Sequence, residues 1–101
     1  MTQVKRRYTS TNGEDWIVSV SWNPQTLNNA HWFEARVDAV GEASGKKMAL
    51  PPEIRTYRIG EAERPFRDWV VRDWAGDREA AIEHHVNSIY RRVYSFIERG
   101  H

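Results

Sequence analysis

The sequence predicts an α+β fold: an antiparallel sheet of about four strands (β-β-β-β-α-α) with two C-terminal helices packed on one face. Two patterns support this prediction. Residues 15–22 carry a large apolar side chain at every second position, as a half-buried strand does. Residues 77–99 repeat apolar side chains with a 4-3-4-3 spacing, as an amphipathic helix does.

The whole chain, residues 1–101, is predicted to be a single domain, because its length suits one hydrophobic core. Strands are predicted at about residues 4–11, 15–22, 31–40 and 54–59, and helices at about 65–75 and 77–99. Strands followed by helices indicate a meander that is covered on one face. The other face is then left to solvent or to a partner.

The register of the first hairpin follows from which side chains must be buried. A two-residue turn at Asn12-Gly13 would place the charges of the first strand on the apolar face. A three-residue loop at 11–13, with Gly13 in the left-handed conformation and a bulge, shifts the pairing by one residue and avoids this. The predicted pairs are Val4 with Val20, Arg6 with Val18, and Tyr8 with Trp16.

Residues 41–52 form the longest stretch without a periodic pattern. Gly41, Gly45 and the Pro51-Pro52 pair interrupt both the strand and the helix pattern. Such a length is near the upper end for a connection in a compact domain. We expect a solvated loop that closes a hairpin, with a functional loop as the alternative.

The helix at 77–99 has Asp77 as its candidate N-cap. Its apolar stripe must be buried, and we expect it to cover the sheet of the same chain. Contact with a second subunit is the alternative, although the stripe lasts only about two heptads. The predicted stripe consists of Ile82, Val86, Ile89, Val93, Phe96 and Ile97.

Charge, cysteine content and hydropathy limit the classes of function. The net charge of +1 creates no overall attraction to nucleic acid. The absence of cysteine excludes disulfides and thiolate ligands. No apolar run approaches the roughly 20 residues of a membrane span. We therefore expect a soluble cytoplasmic protein without a membrane partner.

No residue cluster predicts catalysis, metal binding or a cofactor. His84 and His85 are adjacent on the predicted helix and point about 100° apart, so they cannot share a metal ion from one face. The sequence has neither a Gly-x-Ser-x-Gly nucleophile motif nor a glycine-rich phosphate loop. We therefore predict no catalytic, metal or cofactor residues and favour a role other than catalysis.

The sheet face turned away from the helices is the predicted binding surface. Basic groups beside an aromatic ring bind phosphates and stack bases, so single-stranded nucleic acid is one alternative ligand. Glu34 and Asp38 dilute the positive charge of this face. The candidate binding residues are Lys5, Arg7, Trp32, Arg36 and Arg58, with Arg91 and Arg92, or Lys46 and Lys47, as a candidate extension.

A protein-interaction or adaptor role is the function that we predict first. The chain has five tryptophans and four tyrosines, and aromatic residues and arginine anchor many interfaces. An open sheet face or a sheet edge can accept a partner protein or a second copy of the chain. A second alternative is a small ligand held between sheet and helices by Trp16, Trp22 and Tyr57.

Overall fold

The computed structural model describes residues 2–22, 33–60 and 65–99. They contain one open antiparallel sheet of four strands, in the order β1-β2-β3-β4, and this confirms the predicted α+β fold. Each strand pairs with the next one along the chain, so β1 and β4 are the edges of a meander. The strands are β1 (Thr2–Thr9), β2 (Asp15–Trp22), β3 (Phe33–Gly41) and β4 (Thr56–Ile59).

The β1–β2 hairpin has the predicted three-residue loop and the predicted register. Gly13 has a φ of +88°, the left-handed conformation that glycine adopts without strain. The backbone N–H of Ser10 donates to the carbonyl of Glu14 at 2.8 Å, and that of Gly13 donates to the carbonyl of Ser10 at 2.9 Å. The three predicted pairs are all present: Val4 with Val20, Arg6 with Val18, and Tyr8 with Trp16.

The fourth strand is shorter than predicted. Ile54 and Arg55, which were assigned to it, belong instead to a short helix, α1 (Pro52–Arg55). Pro52 suits the first position of a helix because its φ is already helical. The backbone N–H groups of Ile54 and Arg55 both donate to the carbonyl of Pro51 at 2.9 Å. At the start of the third strand, residues 31 and 32 lie outside the described residues.

The stretch at 41–52 is a solvated loop only in its first half. Residues 42–47 are exposed, as expected. Met48 and Leu50, however, are only 8% and 7% exposed and belong to the core. The backbone N–H of Met48 donates to the carbonyl of Ala39 at 2.8 Å, so the second half of the loop follows β3.

Two further helices, α2 (Phe66–Trp74) and α3 (Arg78–Glu98), complete the fold. Asp77 is the N-cap of α3, as predicted, and its carboxylate accepts a 3.1 Å hydrogen bond from the backbone N–H of Ala80. The backbone turns away from α2 through left-handed conformations at Ala75 and Gly76, with φ values of 51° and 81°. No described helix combines the length and the apolar character that crossing a bilayer requires.

The core lies between α3 and one face of the sheet. Of the predicted apolar stripe, Ile82 and Phe96 are only partly buried. Tyr90, which was not assigned to the stripe, is 1% exposed. The buried arc of α3 is rotated toward Tyr90 because β1 lies beneath that side of the helix. The buried side chains include Val18, Val20, Phe33, Ala35, Val37, Val86, Ile89, Val93 and Ile97.

Candidate functional site

Four of the five predicted binding residues lie on the uncovered face of the sheet. Lys5 and Arg7 are on β1, Arg36 is on β3 and Arg58 is on β4, and all four are exposed. The fifth, Trp32, lies outside the described residues. Since neighbouring strands are about 4.8 Å apart, the cations of β1 and β4 are separated by about 14 Å of sheet.

Carboxylates interrupt the positive charge of this face. Nη2 of Arg7 lies 2.5 Å from Oε1 of Glu42, and Nζ of Lys47 lies 2.9 Å from Oδ1 of Asp38. Glu34 stands in register with the arginine of β4. The face therefore has mixed charge, whereas a groove for single-stranded nucleic acid follows the phosphates with continuous positive charge.

The outer edge of β1 presents backbone groups that no described strand pairs. Along β1, residues whose backbone groups bond to β2 alternate with residues whose backbone groups point away from it. Because Ser10 bonds to Glu14, the residues that bond to β2 are the even-numbered ones. The outward N–H and C=O groups are therefore those of Gln3, Lys5, Arg7 and Thr9. These groups, together with the side chains of Lys5, Arg6 and Arg7, are called the β1 edge.

Three consecutive cations place positive charge on both sides of the β1 edge. Lys5 and Arg7 project on the uncovered face, whereas Arg6 lies on the helix face with its guanidinium carbon 4.3 Å from the centre of the Tyr90 ring. All three side chains are exposed. Arg6 is absent from the predicted binding residues because they were limited to the uncovered face of the sheet. The uninterrupted Lys-Arg-Arg run was the signal that could have identified it.

Aromatic stacking and a shared carboxylate hold β1 against α3. The rings of Tyr8 and Tyr94 stack with their centres 4.1 Å apart. Glu98 accepts hydrogen bonds from the Tyr8 hydroxyl at 2.6 Å, the Thr11 hydroxyl at 2.6 Å and the Thr11 backbone N–H at 3.0 Å. Hydrogen bonds from Thr11 and Tyr8 lower the pKa of Glu98, and the bond to Glu98 raises the pKa of Tyr8 to about 12. The strand with the open edge is thus fixed in place.

A second polar site lies between α3 and the α1–β4 segment. It is a groove of about 550 Å³, here called the arginine groove. Because α3 places Arg91 and Arg92 in this groove on the helix side, the expectation that they extend the surface of Lys5 and Arg7 is wrong. The groove is lined by Glu53, Ile54, Tyr57, Ser88, Arg91, Arg92, Ser95 and Arg99.

Contacts of Arg92 and Tyr57 build the wall of the arginine groove. Nη2 of Arg92 donates to the backbone carbonyl of Glu53 at 2.6 Å, and its guanidinium carbon lies 5.6 Å from the centre of the Tyr57 ring. The Tyr57 hydroxyl lies 3.1 Å from Nδ1 of His85. Burial raises the pKa of Tyr57, while burial and the charge of His84 lower the pKa of His85. Both pKa shifts favour the neutral forms of Tyr57 and His85.

The tryptophans and tyrosine that were predicted to hold a small ligand face different parts of the fold. Trp16 and Trp22 are core residues, 8% and 9% exposed. Trp16 lines a groove of about 830 Å³ beside the first hairpin. Tyr57 lines the arginine groove instead. Trp22 makes an edge contact with Phe33, with ring centres 6.0 Å apart.

No family model, curated protein or solved structure matches this chain. In the described ranges, no three histidine, aspartate or glutamate side chains are grouped so that they could hold a metal ion. Among the described residues, the β1 edge and the arginine groove each bring several cations together.

Proposed function

We propose that this protein is an interaction module that binds an extended, acidic segment of a partner protein at the β1 edge. The segment would add a fifth, outermost strand to the sheet. The observation that carries the proposal is that backbone groups which no described strand pairs coincide with the Lys5-Arg6-Arg7 run on one strand. Backbone hydrogen bonds supply affinity in such strand addition, and side chains supply specificity.

The side chains of the β1 edge favour carboxylates on both faces of an added strand. Successive residues of that strand point alternately to the two faces of the sheet. Acidic residues on the uncovered face would meet Lys5 and Arg7, and those on the helix face would meet Arg6. Opposite charges on neighbouring strands stabilise the pairing by about 0.2–1 kcal/mol each.

A second copy of the chain is a poorer occupant of the same edge. Antiparallel pairing of two β1 strands centred on Arg6 would place Arg6 opposite Arg6 and Lys5 opposite Arg7. Like charges that face each other across strands destabilise the pair. Charged residues on an edge strand are a known protection against self-pairing. The preferred occupant is therefore a chain of opposite charge.

Single-stranded nucleic acid is supported less well. Its phosphates would meet Glu34, Asp38 and Glu42 between the cations of the uncovered face. A strand-adding peptide uses only the edge, so it avoids Glu34 and Asp38 and competes with Glu42 alone, for Arg7. We place the encounter in the cytoplasm, where a chain without cysteine has no disulfide to lose.

The test is a fluorescence-anisotropy titration with a short labelled peptide of three consecutive glutamates flanked by valines, which carries carboxylates on both faces of an extended strand. The same peptide with lysine in place of glutamate and a labelled oligodeoxythymidine are run in parallel. The proposal predicts binding of the acidic peptide alone, weakening as salt is added. Failure of the acidic peptide to bind, or equal binding of the lysine peptide, contradicts it. Preferential binding of the oligonucleotide would replace it with the nucleic-acid alternative.

Two substitutions of Lys5 separate the contribution of backbone hydrogen bonds to binding from the contribution of charge. Lys5→Ala removes a cation and should weaken binding by about twofold to fivefold, as expected for one cross-strand charge pair. Lys5→Pro also removes an outward N–H and inserts a ring at the edge, and should weaken binding by about tenfold or more. The fold should tolerate proline there, because that N–H does not bond to β2. Arg67→Ala, an exposed arginine on α2, is the matched control.

A further inference from the structure

We propose that the arginine groove is a binding site for the phosphate group of a phosphate monoester. This site is independent of the β1 edge: it lies between α3 and the α1–β4 segment and shares no residue with that edge. The inference rests on three features of the groove, which are its charge, the arrangement of its donors and its apolar wall.

The lining of the groove carries net positive charge. Three arginines and a single carboxylate residue, Glu53, line it. In the part of the chain that the structure describes, Arg91, Arg92 and Arg99 form no ion pair. Guanidinium groups match the geometry of phosphate oxygens and keep their charge at every physiological pH. An anion would therefore be the natural counter-charge of this groove.

The donors of the groove surround one position on α3. Ser95 is four residues from Arg91, three from Arg92 and four from Arg99, so all three arginines neighbour it on the helix surface. Each guanidinium has about five N–H donors. One donor of Arg91 is bound to the Ser88 hydroxyl and one of Arg92 to a carbonyl. The remaining donors, with the hydroxyl of Ser95, can bind several oxygens of one phosphate.

Arg92 is held in place before any ligand arrives. Its hydrogen bond to the Glu53 carbonyl and its position beside the Tyr57 ring restrict the side chain. A guanidinium that is already ordered loses less conformational entropy when it binds. Its remaining edge can then bind an anion at little further cost. This separates Arg92 from an arginine that merely extends into solvent.

The wall of the groove suggests that the ligand carries an organic part. Ile54 and the half-buried Tyr57 form a partly apolar side next to the arginines. A volume of about 550 Å³ exceeds what a single phosphate needs, so this open groove leaves room for a further part of the ligand. Soluble phosphate esters and the headgroup of a phosphatidic acid share the required chemistry. The experiment therefore includes both sources.

The test measures binding of ribose 5-phosphate by NMR, following the side-chain N–H signals of the arginines and the amide of Ser95. Ribose is the control ligand. Sedimentation with phosphatidylcholine vesicles, with and without phosphatidic acid, tests the lipid source. Arginine-dependent binding to either phosphate-bearing probe supports the proposal, and the pattern identifies the source. Absence of binding to both probes, or equal binding of ribose, overturns it.

Three variants connect any binding to the groove. Arg91→Gln with Arg99→Gln should weaken binding by about tenfold or more, because each removes a charge-assisted hydrogen bond. Arg92 is left intact, since it also supports the wall. Ser95→Asp should abolish binding by placing a carboxylate among the arginines, and circular dichroism should show the same helix content as in the parent. Arg67→Gln, on α2, is the control and should bind as the parent does. Unaltered binding in Ser95→Asp would refute the site.

Discussion

The hydroxyl of Tyr8, near the end of β1, donates a 2.6 Å hydrogen bond to the carboxylate of Glu98 in the last turn of α3. The two residues are 90 positions apart, so this contact joins the first strand to the last helix. The same carboxylate accepts hydrogen bonds from both the hydroxyl and the backbone N–H of Thr11 in the hairpin loop. One side chain thus fixes the strand that carries the proposed binding edge.

Replacing the carboxylate of Glu98 should change how the stability of the fold depends on pH. Its hydrogen bonds hold the pKa of Glu98 below the ordinary value of 4.5. A carboxyl whose pKa is lowered by folding stabilises the fold fully above its unfolded pKa, and this contribution is lost as the pH falls through the folded value. Glu98→Gln should therefore lower the melting temperature at neutral pH and reduce the loss of stability below about pH 4.5.

The matched control for that change is Glu83→Gln, at an exposed position on the same helix. It should leave both the melting temperature at neutral pH and the acid dependence close to those of the parent. Thermal unfolding followed by circular dichroism across the acid range measures both quantities. If the two glutamine variants behave alike, the contact between Glu98 and the hairpin does not stabilise the protein.

His85 should make stability fall below neutral pH. Burial and the neighbouring charge of His84 lower its pKa from the ordinary value of 6.5. A base whose pKa is lowered by folding binds more protons in the unfolded chain, so stability decreases as the pH falls from about 6.5 toward the folded value. His85→Gln keeps a hydrogen-bonding side chain beside Tyr57 and should flatten this decrease. His84→Gln removes only the smaller of the two causes and should flatten the decrease less. An equal flattening in both variants would show that burial of His85 is not the main cause.

Ala75 should be a position where glycine increases stability. Its φ of 51° is left-handed, a conformation that costs a residue with a Cβ atom about 1–2 kcal/mol. Ala75→Gly should therefore raise the free energy of unfolding by about 0.5–1 kcal/mol after the greater freedom of glycine in the unfolded chain is included. Ala80→Gly, in the first turn of α3, should instead lower it, by up to about 1 kcal/mol. Urea denaturation of both variants measures whether the free energy of unfolding rises or falls in each.

Alanine substitutions of Ile89 and Ile82 should lower the free energy of unfolding by different amounts, although both residues belong to the predicted stripe. Ile89 is 2% exposed, whereas Ile82 is only partly buried against the core. Ile89→Ala should lower the free energy of unfolding by about 2–5 kcal/mol, through lost contacts and the cavity that remains. Ile82→Ala should cost clearly less. A similar loss of unfolding free energy in the two variants, measured by urea denaturation, would show that Ile89 is not more deeply buried than Ile82.

Local rules were sufficient to predict most of the fold. The alternation in β2 determined which face is buried, and this in turn determined the three-residue loop at Gly13 and the pairing of Tyr8 with Trp16. The capping preference of aspartate located the start of α3 at Asp77. The rules failed where two signals competed. The assignment of Ile54 to a strand overlooked the preference of Pro52 for the first turn of a helix.

The candidate site was predictable only in part, because its important contacts are not local. The sequence placed Lys5 and Arg7 on the uncovered face, and the register bears this out. It could not show that Glu42, thirty-five positions from Arg7, forms an exposed ion pair with that arginine. Nor could the periodicity of α3 show that Arg91 and Arg92 face α1 and β4. Such contacts depend on how separate elements pack, which no short window of sequence contains.

The most direct test of the proposed strand addition is amide hydrogen exchange of β1 with and without the acidic peptide. In the free protein, the amides of Lys5 and Arg7 should exchange faster than those of Val4 and Arg6, because only the latter bond to β2. On binding, Lys5 and Arg7 should become protected while Val4 and Arg6 change little. Protection confined to residues outside β1, or no alternation along the strand, would contradict the account.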